Sequence, residues 1–376
     1  MDFGFSDEQE LLRAEVRKFL DQNAPLDVVR KIAAGEEGLE RALWARMAEL
    51  GWVGLTLPEA HGGTGLDLVT ALVLLEETGR TLFPSPLIST MLAGRAIYRL
   101  GSEAQQARWL HGLAAGTSIG TLAYLESADL HALEGIALQG VADGDATVLS
   151  GEKTLVADTA SADLFVVAWR SGETREAVSL GVVERGAAGL GIENFPSIDP
   201  SKRLGRLRFD GVRVESEARL GAEGDAAAAL EELFDWGALL VSAETVGAAE
   251  GALALTTEFA KQRVQFGSPI GRYQGVKHPL ADAYVDIESL KSLVAYAAWA
   301  LQEGEPDAAV AVSRAKAWAS ECVPRIGIEG VQLHGGVGYT AEYDIQLYLK
   351  RSKWLRPAFG DAEHHYARLA DAAFAG

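Results

Sequence analysis

Residues 263–271 read RVQFGSPIG and place an arginine, an aromatic residue and several turn-forming residues within nine consecutive positions. They end a stretch, beginning at about residue 226, that no proline interrupts and that has the composition of a long helix. An arginine at a helix end can bind a phosphate through two hydrogen bonds, and glycines let a ligand approach the backbone. Gln274 adds a neutral donor and acceptor. The segment suits the pyrophosphate of a dinucleotide, but an ordinary helix C-terminus also favours a cation followed by glycine.

A second glycine-rich segment, residues 332–340 (QLHGGVGYT), follows another helical stretch. Its three glycines permit close approach of a ligand or of another backbone segment. The segment does not match the dinucleotide fingerprint of a βαβ unit, because a helix rather than a strand precedes it. A plain turn between two helices explains the glycines equally well, with Gln332 and His334 bonded to local backbone groups.

The first third of the chain has the signals of helices. Ser6, followed three residues later by Gln9, is a capping box, and apolar residues then recur at helical spacing. Glycine and proline separate the further predicted helices, which cover residues 39–50, 66–81, 86–100 and 103–114. We therefore expect a helical domain over residues 1–118.

The middle of the chain changes to strand composition. Turn signals at Asp143-Gly144 and Asp210-Gly211 interrupt runs of Val, Leu, Ile, Phe and Thr. The predicted strands are short and closely spaced, and they include residues 147–149, 164–169, 179–183 and 205–209. This pattern predicts an antiparallel β barrel or sandwich over residues 119–222.

The last third returns to helical composition. Two helical stretches, residues 278–302 and 308–331, follow the one that ends near residue 265. They carry Ala, Leu and Val on more than one face, which is typical of helices buried within a bundle and against other subunits. Residues 221–225 form a natural boundary. The fold class predicted is a multi-domain α+β protein with a C-terminal four-helix bundle over residues 223–376.

Composition argues against several classes of function. The 34 basic and 53 acidic residues give a formal net charge of −19, which disfavours binding to nucleic acid and to anionic membranes. Cys322 is the single cysteine, so an internal disulfide is impossible, and no Cys/His cluster has the spacing of a zinc site. The start of the chain has no signal-peptide pattern, and no run of about 18 apolar residues is apparent. The sequence predicts a cytoplasmic protein without a metal or a membrane span.

Taken together, the two glycine-containing segments and the helical, β, helical order resemble the acyl-CoA dehydrogenase family over nearly the whole chain. In that family, FAD lies between the middle β domain and the C-terminal bundle of a tetramer, and a neighbouring subunit reaches its pyrophosphate and adenosine. The resemblance therefore implies FAD as the cofactor. It implies cofactor-binding roles for Arg263, Gln265, Phe266, Gln274, Gln332, Gly335, Gly336 and Gly338.

The resemblance also implies α,β-desaturation of an acyl-CoA thioester, in which a carboxylate removes the α proton while a hydride leaves the β carbon for the flavin. The family's glutamate lies in a Tyr-Glu-Gly-Thr type loop, where this chain reads AFGDAEHH at residues 358–365. Asp361 is the nearest match and the candidate catalytic base, although its side chain is one methylene shorter. The position that some members use instead, near the start of the long helix, holds Trp236-Gly237-Ala238 and no carboxylate.

The middle domain departs from the family as well. Members carry a Thr-Glu-Pro-Gly-Ala-Gly-Ser-Asp type loop and a Trp-Ile-Thr type strand beside the flavin ring. This chain has LESAD at residues 125–129 and TLVA at residues 154–157. Backbone hydrogen bonds, which do not depend on side-chain identity, can still hold the ring.

These departures resemble a branch of the family that forms heterotetramers from two gene products and acts on bulky CoA thioesters such as sterol side-chain intermediates. That branch tends to carry a Gly-Asp, here Gly360-Asp361, and a Thr-x-Glu-x-Asp stretch, here residues 340–344. A simpler interpretation, polar surface residues at helix ends, also suits Glu342, Asp344, His364 and His365.

Three interpretations follow. The first is an FAD-containing acyl-CoA dehydrogenase with Asp361 as base, which forms a homo- or heterotetramer and passes electrons to an electron-transfer flavoprotein. The second is a partner subunit without chemistry of its own, which contributes Arg263 and Gln332 to FAD bound by another polypeptide. The third is a nucleic-acid-binding relative of the family, which the acidic composition opposes.

Overall fold

The computed structural model describes residues 5–127 and 130–374. Contacts divide the chain into two compact units, neither of which is contiguous in the sequence. The first unit contains the described residues up to Lys31, Leu68–Phe83 and the described residues from Ala238 onward. The second unit contains Ile32–Asp67 and Pro84–Gly237.

The part of the chain that the structure describes contains eleven α-helices. They are α1 (Asp7–Asn23), α2 (Leu26–Ala34), α3 (Arg41–Glu49), α4 (Leu68–Arg80), α5 (Leu87–Leu100), α6 (Glu103–Ala114), α7 (Ala227–Gln262), α8 (Gln274–Glu303), α9 (Ala308–His334), α10 (Ile345–Leu355) and α11 (Ala362–Phe374). The predicted helical stretches correspond to α1 and α3–α9, whereas α2, α10 and α11 were not predicted.

Helix starts follow the local capping chemistry. The predicted capping box is present, since Ser6 Oγ accepts a hydrogen bond from the Gln9 N–H and Gln9 Oε1 accepts one from the Ser6 N–H. Helix α8 begins four residues before the predicted start, with Pro279 inside its second turn. A proline there removes one backbone hydrogen bond, and the rest of the helix is long enough to tolerate that loss.

Helix α4 and the part of α7 that belongs to the first unit approach each other until their backbones touch. A Cβ added at Gly79 would lie 2.1 Å from the Glu244 carbonyl oxygen, and one at Gly247 would lie 1.7 Å from the Glu76 carbonyl oxygen. No side chain fits at either position, so the two glycines set the distance between the helices.

We expect Gly247→Ala to destabilise the protein by about 1–3 kcal/mol or more, because the new methyl group would have to push α4 away from α7. Gly275→Ala is the matched control, since Gly275 also lies in a helix but has open space around its Cα. That control should leave stability unchanged or slightly raised, because Gly275 lies in the first turn of α8 and alanine is the better helix former. Denaturant unfolding of both variants checks the difference, and equal midpoints would contradict the close crossing.

Helix α7 is long and apolar enough, by length and composition alone, to cross a membrane. One 18-residue window has a mean hydropathy of 1.4, which corrects the expectation that no apolar run reaches this length. However, 78% of that window is buried inside the protein. Core helices of folded domains pass the same test, so burial of α7 within the bundle accounts for its composition.

The C-terminal part is a helical bundle, as predicted. Its described residues form five α-helices, α7–α11, one more than the four predicted. Helix α9 packs directly against α8, α10 and α11. Helix α9 is therefore the central element from which the neighbouring loops are positioned.

The second unit contains two four-stranded sheets, and a two-stranded hairpin lies in the first unit. The strands are β1 (Gly120–Ala123), β2 (Gly140–Asp143), β3 (Ala146–Ala157), β4 (Leu164–Arg170), β5 (Val178–Glu184), β6 (Leu190–Phe195), β7 (Leu204–Val214), β8 (Arg219–Leu220), β9 (Val264–Gln265) and β10 (Ser268–Pro269). The sheet orders are β1-β4-β5-β8 and β2-β3-β7-β6, with β10-β9 as the hairpin.

The two larger sheets are open, so the sandwich alternative is correct and the closed barrel is wrong. Pairing is antiparallel except between β1 and β4, which run parallel. Trp169 of β4 is fully buried, and a Cβ at Gly140 of the other sheet would lie 2.3 Å from its ring. The indole therefore fills the space between the sheets.

The predicted turn at Asp143-Gly144 is present between β2 and β3, but the one at Asp210-Gly211 is wrong. Asp210 and Gly211 lie inside β7, where the pairing with β3 shifts from Leu149 opposite Val212 to Ser150 opposite Asp210. Gly211 is left unpaired with φ of +67°. This is a β-bulge, which uses the same left-handed glycine conformation as many turns.

Candidate functional site

The segment at the end of α7 forms a tight hairpin. Strands β9 and β10 pair antiparallel around Phe266 and Gly267, whose φ angles of +51° and +76° are those of a two-residue type I′ turn. Helix α7 thus ends at Gln262, three residues before the predicted end. The left-handed conformation costs a residue such as Phe266 roughly 1 kcal/mol, yet its ring is 93% exposed. An exposed aromatic ring on a strained turn is a feature of surfaces that contact another molecule.

Arg263 and Gln274 flank this hairpin. The Arg263 backbone is fixed, because its N–H donates to the Phe259 carbonyl and its own carbonyl accepts from the Ile270 N–H, both at 2.8 Å. Its side chain is exposed and makes no ion pair with another described residue. Gln274 is the first residue of α8 and is also exposed. Both side chains are available to a ligand.

The second glycine-rich segment is a turn that needs glycine for two different reasons. Gly335 has φ of +65° and ψ of −144°, a backbone conformation open essentially to glycine alone. A Cβ at Gly338 would lie 2.6 Å from the Val331 carbonyl oxygen, so this position needs glycine for packing. Around Gly335 and Gly336 a Cβ would meet nothing within 4 Å, and Gln332 in the preceding turn is exposed.

An aromatic cluster joins the two segments. The Phe259 ring, one turn before the end of α7, stacks on His334 at the end of α9 with centroids 4.3 Å apart. The Tyr343 ring contacts both edge-on, at 5.9 Å from Phe259 and 5.3 Å from His334. The structure therefore brings the Arg263 hairpin and the glycine turn to one end of the bundle. Sequence reasoning missed this cluster, since nothing local links residue 259 to residues 334 and 343.

His334 is buried between these segments, and burial lowers its pKa. Its Nδ1 lies 2.7 Å from the Gly330 carbonyl oxygen, and since a carbonyl can only accept, Nδ1 carries the proton. Nε2 is then an acceptor, buried without a hydrogen-bond partner among the described residues. The neutral imidazole fits a role in packing the cluster.

The structure does not bring Asp361 to the same end. Asp361 precedes α11, and its Oδ1 accepts a hydrogen bond from the His364 N–H at 3.1 Å, so it is the N-cap of that helix. The adjacent Gly360 carbonyl accepts from Lys316, which lies 18 residues before His334 on α9. At 1.5 Å per residue this separates Asp361 from the glycine turn by about 27 Å. Asp361 and the glycine turn therefore cannot contact the same small ligand within a single chain.

Two of the four residues interpreted as polar surface residues are engaged elsewhere. His365 is fully buried, and its Nε2 lies 3.0 Å from the Phe359 carbonyl oxygen. Asp344 forms an ion pair with Arg30 of α2, whose guanidinium also donates to the Ala341 and Glu342 carbonyls. For His365 the surface interpretation is wrong, because α11 turns this face towards α9.

In the second unit, the two segments predicted beside the flavin ring are neighbours. The Thr154 N–H donates to the Leu125 carbonyl at 2.9 Å, and β3 has a register shift between Lys153 and Val156. Leu155 within that shift has φ of +50° and is 40% exposed. Ala128 and Asp129 of the predicted loop lie outside the described residues.

A buried ion pair that sequence reasoning missed holds the loop on β3. Lys153 is fully buried, and its Nζ donates to the Tyr124 carbonyl and to Glu126 Oε1. Burial lowers the pKa of Lys153 to about 8, against the opposing attraction of Glu126. Glu126 Oε1 also accepts from the Ala137 and Leu138 N–H groups at 2.9 Å. No local signal marks this lysine as buried, because β3 also carries Ser150, Glu152 and Thr154.

A helical region, two packed sheets and a helical bundle with exposed hydrogen-bond donors beyond its helix ends are the elements of an FAD-dependent oxidoreductase. More narrowly, the chain belongs to the acyl-CoA dehydrogenase family. The family's N-terminal domain matches residues 6–117 and its C-terminal domain matches residues 226–374.

Individual relatives agree with this assignment. The acyl-CoA dehydrogenase IpdE2 of Mycobacterium tuberculosis is 34% identical over 347 residues, covering 92% of this chain and 91% of the relative. Butyryl-CoA dehydrogenase from Megasphaera elsdenii has a similar structure, with a TM-score of 0.91, 26% identity and coverage of 99% and 100% of the two chains. The ChsE4-ChsE5 complex from Mycobacterium tuberculosis has a TM-score of 0.90 and 27% identity, with coverage of 100% and 99%.

Proposed function

We propose that this protein catalyses the α,β-dehydrogenation of an acyl-CoA thioester with FAD as its cofactor. The observation that carries the proposal is the cluster of Phe259, His334 and Tyr343, which holds both family motifs at one end of the bundle. The exposed side chains of Arg263, Gln274 and Gln332 lie there, and none of them has a hydrogen-bond partner among the described residues. The similarity of fold to butyryl-CoA dehydrogenase supports the same chemistry.

The residues at this end fit an FAD. A pyrophosphate needs a cation and donors without competing partners, and Arg263, Gln274 and Gln332 supply an exposed guanidinium and two exposed amides. The open space beside Gly335 and Gly336 admits a ligand against the backbone. We infer that FAD is held by Arg263, Gln265, Phe266, Gln274, Gln332, Gly335, Gly336 and Gly338. When bound, FAD supplies the acceptor for the hydride that leaves the substrate's β carbon.

Asp361 is the proposed general base for the α proton. Its Oδ1 is engaged by the His364 N–H, whereas Oδ2 has no hydrogen-bond partner in the parts of the chain that the structure describes. The free oxygen can accept a proton from a substrate carbon without breaking the helix cap. The separation of about 27 Å along α9 between this base and the glycine turn supports a site completed across subunits.

We further propose a tetramer, formed either by copies of this chain or with a second, related chain. The ChsE4-ChsE5 complex is a relative built from two different chains. We propose three domains over residues 1–118, 119–222 and 223–376, which the ranges of the two family domains support. An electron-transfer flavoprotein is the proposed electron acceptor, and the cytoplasm is the proposed location.

We expect Arg263→Gln to weaken FAD binding by about 10- to 100-fold, because a hydrogen bond to a charged group contributes about 1.5–3 kcal/mol. Arg272→Gln is the matched control, since Arg272 is an exposed arginine nine residues away in the same segment. Titration of FAD into flavin-free protein measures both dissociation constants. Similar losses in the two variants would mean that Arg263 acts only through general charge.

The first experiment on function is to purify the chain alone and together with an adjacently encoded relative, and to record visible spectra and solution mass. A yellow oligomer of this chain that is bleached by an acyl-CoA supports a self-sufficient enzyme. A chain that gains flavin only with its partner, and whose Asp361→Asn variant is still bleached, would overturn the proposal. In that case this chain would be the non-catalytic partner in a site shared by two different chains.

A further inference from the structure

A turn with an unusual backbone carries Asp361. Phe359 and Gly360 precede it with φ angles of +56° and +94°, both in the left-handed region. A Cβ at Gly360 would lie 2.4 Å from the His364 ring, so glycine is required there. A residue such as Phe359 keeps a left-handed conformation only where its surroundings over-determine it.

Buried donors supply that constraint. Lys316 of α9 is fully buried, and its Nζ donates to the Gly360 carbonyl at 2.7 Å, the Arg356 carbonyl at 2.9 Å and Ser320 Oγ at 2.7 Å. Ser320 Oγ in turn donates to the Arg356 carbonyl at 3.0 Å. An ammonium has three protons, and all three are used.

His365 completes the set from the other side of the turn. Because a carbonyl can only accept, its Nε2 carries the proton and donates to the Phe359 carbonyl at 3.0 Å. Burial, followed by the nearby charge of Lys316, lowers the pKa of His365 to about 2, so the ring is neutral. Burial likewise lowers the pKa of Lys316 to about 7, against the attraction of Asp361.

We propose that Lys316 is a positioning residue of the active site, which holds the turn 356–361 in the conformation that presents the Asp361 carboxylate to the substrate. This inference rests on the proposed function of Asp361. The carbonyls of Arg356, Phe359 and Gly360 are each paired with a buried donor, and an unpaired buried carbonyl is unfavourable. Removing Lys316 leaves the Gly360 carbonyl without this donor and the Arg356 carbonyl with Ser320 Oγ alone, which frees the turn to move.

The test uses the flavin-containing assembly and two variants with a control. Lys316→Met keeps a long side chain without donors, and Ser320→Ala removes one supporting hydroxyl. Ser313→Ala is the control, because Ser313 is a buried serine of the same helix whose hydroxyl has no hydrogen-bond partner among the described residues. Steady-state kinetics and hydrogen exchange at the Gly360, His364 and His365 amides are measured for each.

Lys316→Met is expected to lower kcat about 100-fold, the effect of a displacement near 1 Å, while KM changes by less than about threefold. Amide exchange in the turn should rise. Ser320→Ala should show a smaller loss, about 10-fold in kcat, and Ser313→Ala should match the wild type. A merely structural lysine would lower the amount of folded enzyme without this split between kcat and KM.

Unchanged exchange in the turn of Lys316→Met, or an unchanged kcat, overturns the inference. If that variant does not fold, equal kinetics and exchange in Ser320→Ala and Ser313→Ala overturn it instead. Asp361→Asn distinguishes the two proposals, because wild-type activity in that variant refutes Asp361 as the base. Hydrogen exchange in the turn tests the role of Lys316 without depending on catalysis.

Discussion

Asp361→Asn is expected to lower kcat by about 10²- to 10⁴-fold, the usual contribution of a general base, while the thermal midpoint stays near that of the wild type. The two effects separate because asparagine is as good an N-cap as aspartate. Its amide oxygen can accept the His364 N–H as Asp361 Oδ1 does. Only the ability to take a proton is lost. Acyl-CoA-dependent bleaching in single turnover, followed by flavin absorbance, measures the rate.

Asp361→Ala provides the comparison for the cap. It should lose the same activity and, in addition, about 1 kcal/mol of stability. If Asp361→Asn retains a kcat within twofold of the wild type, the base lies elsewhere and Asp361 serves α11 alone. If the asparagine and alanine variants lose equal stability, the cap assignment is wrong, since only alanine removes the acceptor.

Arg351→Met is expected to destabilise the protein by about 3–5 kcal/mol, because it leaves a buried carboxylate without its partner. Arg351 of α10 is fully buried and pairs with Glu244 of α7, which is also buried. Its guanidinium donates as well to the Leu82 carbonyl at 3.1 Å, where Leu82 has φ of +56°. The pair therefore joins α10 to α7 and to the chain segment that follows α4.

The double variant Glu244→Met/Arg351→Met should recover most of that loss, since replacing a whole buried ion pair by apolar residues is often nearly neutral. Denaturant unfolding of the two single variants and the double variant completes the cycle. All three are measured at one fixed protein concentration, because the proposed tetramer would make stability depend on concentration. Additive losses would mean that the two charges do not interact in the folded state.

Most helices and the order of the three regions were predictable from the sequence. The capping box at Ser6 and Gln9 depends on four adjacent residues, and glycine and proline punctuation located α4–α6 to within about two residues. Such signals are local, so the chain carries them whatever the tertiary structure is. The same holds for the hairpin turn at Asp143-Gly144.

Predictions from local sequence were wrong where the same residues are compatible with two structures and tertiary contacts decide which one forms. Asp210-Gly211 favours a left-handed glycine, but the partner strand β3 decides that the glycine forms a bulge rather than a turn. Likewise, His365 is a polar residue of a type usually found at the surface, and it is buried only because α11 packs on α9. Neither outcome depends on neighbouring residues in the sequence.

The same distinction between local sequence and tertiary contacts applies to the candidate site. By itself the sequence determined the family, the residue types of the proposed cofactor-binding segments and the candidate base, because these are runs of adjacent residues whose chemistry is local. Only the tertiary structure decided that Phe259, His334 and Tyr343 bring two of those segments together, and that Lys316 holds the turn before Asp361. Contacts between residues some 40 to 80 positions apart depend on how helices pack, and one sequence without its fold contains no direct record of that packing.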